Sequence, residues 1–246
     1  MIRFESFSKS FGAERAVSDL TLAISPGEIV ALLGPNGSGK TTSLKAAAGL
    51  IHPTNGGVTV GEARRPATEP EARRSLSFLP QKVTFPDSLT GREVLDFYRA
   101  LRGVPRERVE IVLKMSSLNG ASARAVGTYS GGMTQRLGLA VAALPDTPVL
   151  LLDEPTAALD PDGLRAFYVL VEQRRREGKT VLFTTHQLGD VERLADRVAI
   201  LVGGRLVALL TRHALEEWLL AHGVPLVRAE TSPLEDLYRE LVGGDA

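Results

Sequence analysis

The sequence predicts an α/β fold: a parallel sheet with helices on both faces, a small antiparallel β subdomain beside it, and a helical subdomain inserted in the chain. Three observations carry that prediction. Short apolar runs rich in β-formers, "IVALLG" at 29–34, "VLLLD" at 149–153 and "TVLFTTH" at 180–186, are separated by helix-compatible stretches, and strands buried on both faces read as continuous apolar runs of this kind. The first thirty residues differ, because "IRFESFS" and "LTLAIS" alternate apolar with polar residues, as half-exposed antiparallel strands do. Between about 84 and 132 the strand signals vanish, which marks the inserted helical span.

The elements follow from local chemistry. "IVALLG" runs into glycines and then "KTTSLKAAAGL", a strand, a turn and a helix start. In the insert, "TGRE" at 90–93 has the capping-box spacing and opens the amphipathic "VLDFYRALRG". Asp160 in "AALDP" is placed to cap a helix with Pro161 at its first position. "RRREGK" at 174–179 sets cations at a helix C-terminus closed by Gly178, an arrangement that suits the helix dipole and needs no nucleic acid. "RVAILVGGRLVALL" reads as strand, Gly-Gly turn, strand. Residues 1–210 form one unit by this reading, and 211–246 form a mostly helical extension, broken at Pro225 and Pro233 and packed on that unit.

Composition excludes several functions. With 29 basic and 29 acidic side chains in 246 residues there is no net field to gather nucleic acid or anionic lipid. The absence of cysteine removes disulfides, thiolate zinc sites and iron–sulfur clusters. The start lacks the apolar segment of a signal peptide, and the longest apolar run, near "LGLAVAAL", is about half of the roughly twenty residues that a spanning helix needs. Any work at a membrane therefore calls for a separate spanning subunit. His52, His213 and His222 are scattered and take no ligand role.

The chemistry-bearing residues lie elsewhere. Gly34-Pro35-Asn36-Gly37-Ser38-Gly39-Lys40-Thr41 fits G-x-x-x-x-G-K-[ST] between a strand and a helix. Glycines let backbone N–H groups converge on phosphate oxygens, the helix N-terminus adds positive potential, Lys40 reaches the outer phosphates and the Thr41 hydroxyl suits magnesium. Phosphoryl transfer also requires acids at the end of a neighbouring buried strand, and "VLLLDEP" supplies Asp153 for the metal and Glu154 to polarise an attacking water. Gln81 in "SFLPQ" and His186 in "LFTTH" each end an apolar run at the usual ligand edge of an open α/β sheet; taken alone, each also reads as an ordinary polar strand end. A second glycine turn, "YSGGM" at 129–133, has a hydroxyl and bare N–H groups at a helix start, which is another anion site.

In this order the residues resemble the ATP-binding cassette subunits of ABC transporters. "GPNGSGKTT" is similar to the Walker A loop, continuing to Thr42, "FLPQ" to the Q-loop, "YSGGM" to the signature, "VLLLDEP" to Walker B, "AALD" to the D-loop and "TTH" to the switch histidine. The resemblance implies a P-loop NTPase (RecA-like) core over positions 1 to 210, ATP and magnesium as ligands, and catalysis by Glu154 with His186 and Gln81. It implies metal contacts from Thr41, Gln81 and Asp153, and stacking of adenine on Phe11, beside which Val17 serves equally well as a small-sheet core residue. It further implies a homodimer when ATP-bound, in which Ser130, Gly131 and Gly132 of one copy meet the nucleotide of the other, and it gives Asp160 of the D-loop a nucleotide contact beside its capping role. The membrane partner would be a transmembrane permease subunit, with this chain peripheral on the cytoplasmic face. Tyr129 and Met133 depart from the leucine and glutamine usual in the signature, and Phe11 from the commoner tyrosine; Tyr129 is expected to pack beneath the loop. The spelling of "YSGGMTQRLGLA" and of "RRSLSFLPQKVTFPDSLTGREVLDFY" resembles cassettes of ABC-2-type systems, most of all the NosDFY group that helps mature the copper sites of nitrous oxide reductase. Other readings of the same residues are an ABC-type ATPase without a transport role and a non-catalytic nucleotide sensor.

Overall fold

A computed structural model describes residues 1–118, 120–211 and 214. The chain opens with two long antiparallel strands, β1 (Ile2–Phe11) and β2 (Glu14–Ile24). They exceed the two short runs expected, because bulges break the alternation that would have shown their length. Phe4 and Phe7 are both fully buried although three apart, the register shifts between them, and Ser6 at φ 45° takes up the extra residue.

β3 (Ile29–Leu33) leads through the glycine loop into α1 (Lys40–Ala47). β4 (Asn55–Val60) and β5 (Arg65–Pro66) return to the first sheet, completing the order β2-β1-β4-β5. After α2 (Pro70–Arg74) and β6 (Leu76–Leu79) come α3 (Gly91–Arg102), α4 (Glu107–Met115), a 3-10 turn at Val126–Thr128 and α5 (Gly131–Ala143). β7 (Val149–Leu152), α6 (Pro161–Arg176), β8 (Thr180–Thr185), α7 (Leu188–Leu194), β9 (Arg197–Val202) and β10 (Arg205–Thr211) follow.

The second sheet has the order β10-β9-β3-β8-β7-β6, all parallel except β10, which turns back on β9 through Gly203 and Gly204, both at positive φ. Its central strands alternate between two cores. Ile29, Ala31 and Leu33 of β3, with Val181 and Phe183 of β8, face a core built with helices α3 to α7. Val30, Leu32 and Leu182 face a second core shared with α1, α2 and the small sheet. Burial on both sides explains why these strands read as unbroken apolar runs.

Two local expectations are met in detail. Thr90 and Glu93 form a reciprocal cap at the start of α3, and Asp160 caps α6 by accepting from the Gly163 N–H. The arginines of "RRREGK" do more than complement a dipole: Arg174 is 4% exposed, donates to the Ala143 carbonyl and pairs with Asp146 and Glu177, so it is an internal strut joining α6 to the end of α5. The expected extension at 211–246 begins one residue too early, because Thr211 still belongs to β10; the rest of it, with His213 and His222, lies outside the described residues, 214 excepted.

Replacing Thr90 by Ala removes the acceptor for the Glu93 N–H and should lower unfolding free energy by about 1 kcal/mol. Urea denaturation of the full chain measures this directly; an unchanged midpoint would show that the cap contributes nothing.

Candidate active site

Register assembles the site. Leu33 pairs with Thr185, Phe183 with Leu152, and Leu152 with Leu79, so β3, β6, β7 and β8 end together at one carboxyl edge. The glycine loop, Gln81, the Asp153–Glu154 pair and His186 are therefore delivered to one place from four separate parts of the sequence.

The glycine loop is held by close backbone contact. A Cβ on Gly34 would sit 2.2 Å from the Leu201 carbonyl oxygen, and one on Gly39, at φ 94°, 2.6 Å from that of Ala16; no larger residue fits either position. Lys40 donates its ammonium to the carbonyls of Gly34 and Pro35 at 2.7 and 3.0 Å. Burial pushes its pKa down, while Glu154 and Asp153 pull it back, so a compact positive charge is held under the loop.

Asp153 lies behind it, with no exposed surface. Its Oδ1 accepts the hydroxyls of Thr41 at 3.0 Å and Thr184 at 2.7 Å. Its Oδ2 is buried without a hydrogen-bond partner. Desolvation pushes this carboxyl above the usual range despite the two hydroxyls. A carboxylate with a free oxygen beside a threonine hydroxyl suits a hard divalent cation. Among the described residues no cluster of three or more His, Cys, Asp or Glu exists that would hold a metal alone, so the remaining ligands would come from phosphate and water, as magnesium sites commonly arrange.

Glu154 is 8% exposed and adopts φ 44°, a left-handed conformation that costs a glutamate roughly 1–3 kcal/mol. Its N–H donates to the Thr184 hydroxyl at 2.8 Å. Its Oε2 accepts from the Gln81 amide at 3.0 Å and lies 3.7 Å from His186 Nδ1. Gln81 and His186 thus both stand at Glu154. The expectation also sets Gln81 at the metal; here its amide is placed on Glu154, and the side chains on Asp153 are the hydroxyls of Thr41 and Thr184.

An open cavity of about 410 Å³ runs along this edge. The loop residues Asn36 to Thr42, with Gln81 and Glu154, line one part, and Phe11, Glu14 and Ala16 line the other. Phe11 is 52% exposed, with the Lys9 ammonium 5.0 Å from its ring centroid. It is an aromatic face available for stacking on a flat ligand. Val17 is fully buried in the small-sheet core and does not line the cavity.

The second glycine turn lies apart. None of Ser130, Gly131, Gly132 and Asp160 lines that cavity. Ser130 is exposed and caps α5, accepting from the Met133 N–H at 3.2 Å. Tyr129 packs below the turn, its hydroxyl donating to the Ala121 carbonyl, and crowds Gly91 so closely that a Cβ there would lie 2.3 Å away. Further along α5 the helix reaches back towards the catalytic loop: the Gln135 amide donates to the Pro155 carbonyl at 3.4 Å, and Arg136 pairs with Asp160 at 3.3 Å.

Thr184, Gln135, Glu14 and Ala16 were not singled out in sequence. For Thr184 a signal existed, a hydroxyl directly after the apolar "VLF" at the end of the strand and two residues before His186; the others depend on contacts between distant segments.

The profile of the ABC transporter family matches residues 17–157. An ABC transporter ATP-binding protein of Bacillus subtilis (strain 168), YxlF, whose own role is uncharacterised, is 40% identical over 84% of this chain and 69% of that protein. The Nod factor export ATP-binding protein I of Burkholderia lata is 36% identical over 88% of this chain and 72% of its own. Among solved structures, a dimeric post-hydrolysis state of an ATP-binding cassette with ADP and Pi superposes with a TM-score of 0.78 at 26% identity, covering 86% of this chain and 99% of the other.

Asp153→Asn keeps an acceptor for Thr41 and Thr184 and removes a buried charge whose second oxygen is unpartnered. The variant without nucleotide should melt higher than the parent at neutral pH while losing ATP turnover. Thermal denaturation beside a phosphate-release assay checks both, and a clearly lower melting temperature would contradict this account of the carboxylate.

Proposed function

The chain belongs to the ABC transporter family as an ATP-binding, ATP-hydrolysing cassette, and from that premise we propose that it powers a separate transmembrane permease by closing head to tail on a second copy of itself. The observation that supports this reading is the separation of two anion sites in one polypeptide. The glycine-loop cavity has a cation, an aromatic face and an oriented carboxylate, yet none of its lining comes from Ser130–Gly132. A second copy, turned about, would bring that turn to the open side of the cavity.

Within each site, Lys40 and the loop N–H groups hold the phosphates and Phe11 stacks on the base. Asp153 and Thr41 would hold magnesium, which supplies charge neutralisation at the phosphates. Glu154, held in its strained conformation by Thr184, accepts a proton from water aimed at the γ-phosphate. The Gln81 amide donates to Glu154 Oε2, and His186 Nδ1 stands 3.7 Å from the same oxygen. Ser130 and the adjacent N–H groups of the second copy then stabilise charge that a lone subunit leaves exposed; in phosphoryl transfer a stabiliser given in trans can be worth about 10³ to 10⁵ in turnover.

No helix among the described residues is long and apolar enough to cross a membrane, so the reading assigns the crossing to the permease and this chain to its cytoplasmic side. An ABC-2-type permease is the proposed client. The likeness of residues 73–98 to NosDFY cassettes supports copper-site maturation of nitrous oxide reductase as the task. Copper content of that enzyme in a host lacking this chain tests the task independently of the engine; normal loading would exclude it.

Glu154→Gln should retain ATP binding, accumulate as a dimer on gel filtration with ATP, and lose turnover by about 10² to 10⁴. Parental turnover in that variant would remove Glu154 as the base. Replacing Ser130 with Arg should spare nucleotide binding by the monomer and abolish the rise of specific activity with protein concentration. Activity per chain that is constant from dilute to concentrated protein would sink the shared site.

A further inference from the structure

We propose that Asp190 is a positioning residue that locks the loop carrying Glu154 to the loop carrying His186, so that acid and histidine hold one relative placement. Asp190 is 2% exposed and lies in α7, outside the cavity. Three hydroxyls converge on its carboxylate. Thr156 donates to Oδ2 at 2.7 Å, Thr185 approaches the same oxygen at 3.4 Å, and Tyr168 donates to Oδ1 at 2.8 Å.

The donors' positions give the contact its meaning. Thr156 is two residues after Glu154, in a turn where the Ala157 N–H donates to the Glu154 carbonyl and the Leu159 N–H to that of Thr156. Thr185 immediately precedes His186, and its hydroxyl also accepts from the Gln187 N–H at 2.9 Å, which fixes the chain on the far side of the histidine. Tyr168 comes from α6, the helix capped by Asp160, and its ring carries the Arg193 guanidinium 4.0 Å from the centroid. One buried carboxylate therefore spans three segments that the sequence separates, two of which carry Glu154 and His186. A carboxylate has about four lone-pair sites for such donors, and an unmet hydroxyl in this dry setting would turn elsewhere and release its loop. Glu154 and His186 approach only to 3.7 Å, so the placement that brings them together is set by these neighbours.

The inference rests on Glu154 acting as the base. Full-length Thr156→Val, Thr156→Ser and Asp190→Ala are compared with the parent and with Glu154→Gln for ATP Kd, KM, kcat and melting temperature, at protein concentrations where turnover per chain is maximal. Thr156→Val should lower kcat by about tenfold to a hundredfold, the scale of an ångström-sized misplacement, with Kd and KM changed less than about twofold. Thr156→Ser should restore most of the loss, and folded Asp190→Ala should match or exceed the valine variant. If Asp190→Ala does not fold, the Thr156 pair decides alone. Parental kcat in Thr156→Val, or equal loss in valine and serine variants, overturns the proposal. If Glu154→Gln itself turns over normally, the underlying reading of the base fails instead, which is a separate outcome.

Discussion

The hydrogen bonds that meet at Asp153 Oδ1 are the constraint on which the rest of the site depends. Thr41 reaches that atom from the first turn of α1 and Thr184 from β8, while Asp153 itself directly follows β7. Three elements are thereby tied at one point with no access to water. Hydrogen bonds to a charged group contribute about 1.5–3 kcal/mol each, and the effective penalty for burying an unpaired ion is several kcal/mol. Two hydroxyls therefore offset the burial only in part. The surrounding sheet makes up the difference, because every residue of β3, β7 and β8 is buried. What remains is an electrostatic deficit of negative sign, and a cation arriving with phosphate is the natural thing to meet it.

Thr184 extends the constraint to the second acid. Its single proton goes to Asp153, and its oxygen accepts the Glu154 N–H. One hydroxyl thus sets the first carboxylate against α1 and anchors the backbone that carries the second. That anchorage explains how a glutamate persists at φ 44°: a strained residue is retained only where its surroundings over-determine it. The consequence is directional. With the backbone turned this way, adjacent side chains diverge, Asp153 into the protein and Glu154 onto the cavity, where adjacent residues of a regular strand would have been divided between opposite faces of the sheet.

Much of this was legible because phosphate chemistry demands particular residue types at fixed spacings. Gly34 to Thr42, Asp153, Glu154 and His186 could be placed from their motifs, and the parallel sheet from apolar runs buried on both faces. What escaped was tertiary. Arg174 reads as one of four cations at the helix end in "RRREGK", yet it is buried, because Asp146 and the Ala143 carbonyl happen to lie where its guanidinium points. Asp190 reads as an ordinary polar residue of the helix in "QLGDVER", and only the fold brings Thr156 and Tyr168 to it. The lengths of β1 and β2 were hidden by bulges at Ser6 and Asp19, both at positive φ, which shift the buried face in mid-strand and so erase the period on which the eye relies. In each case the residue type was visible and its surroundings were not.

The second glycine turn poses a different question, because a site on one copy must influence chemistry on another. Its helix provides the link inside a single chain. Ser130 starts α5; one turn on, Gln135 holds the carbonyl of Pro155, the residue after Glu154, and Arg136 holds the cap of α6. In the proposed head-to-tail pair, phosphate gripped at Ser130 therefore pulls on a helix already fastened to that chain's own catalytic loop. Coupling of this sort is reciprocal for binding free energies, so a well-formed Glu154 loop in turn favours the grip. Turning an open-to-closed ratio from one in a hundred to its inverse takes roughly 5.5 kcal/mol of differential affinity. Two nucleotides, each held by both copies, divide that requirement between them, and the short path from Ser130 through Gln135 to Pro155 makes them act as a pair.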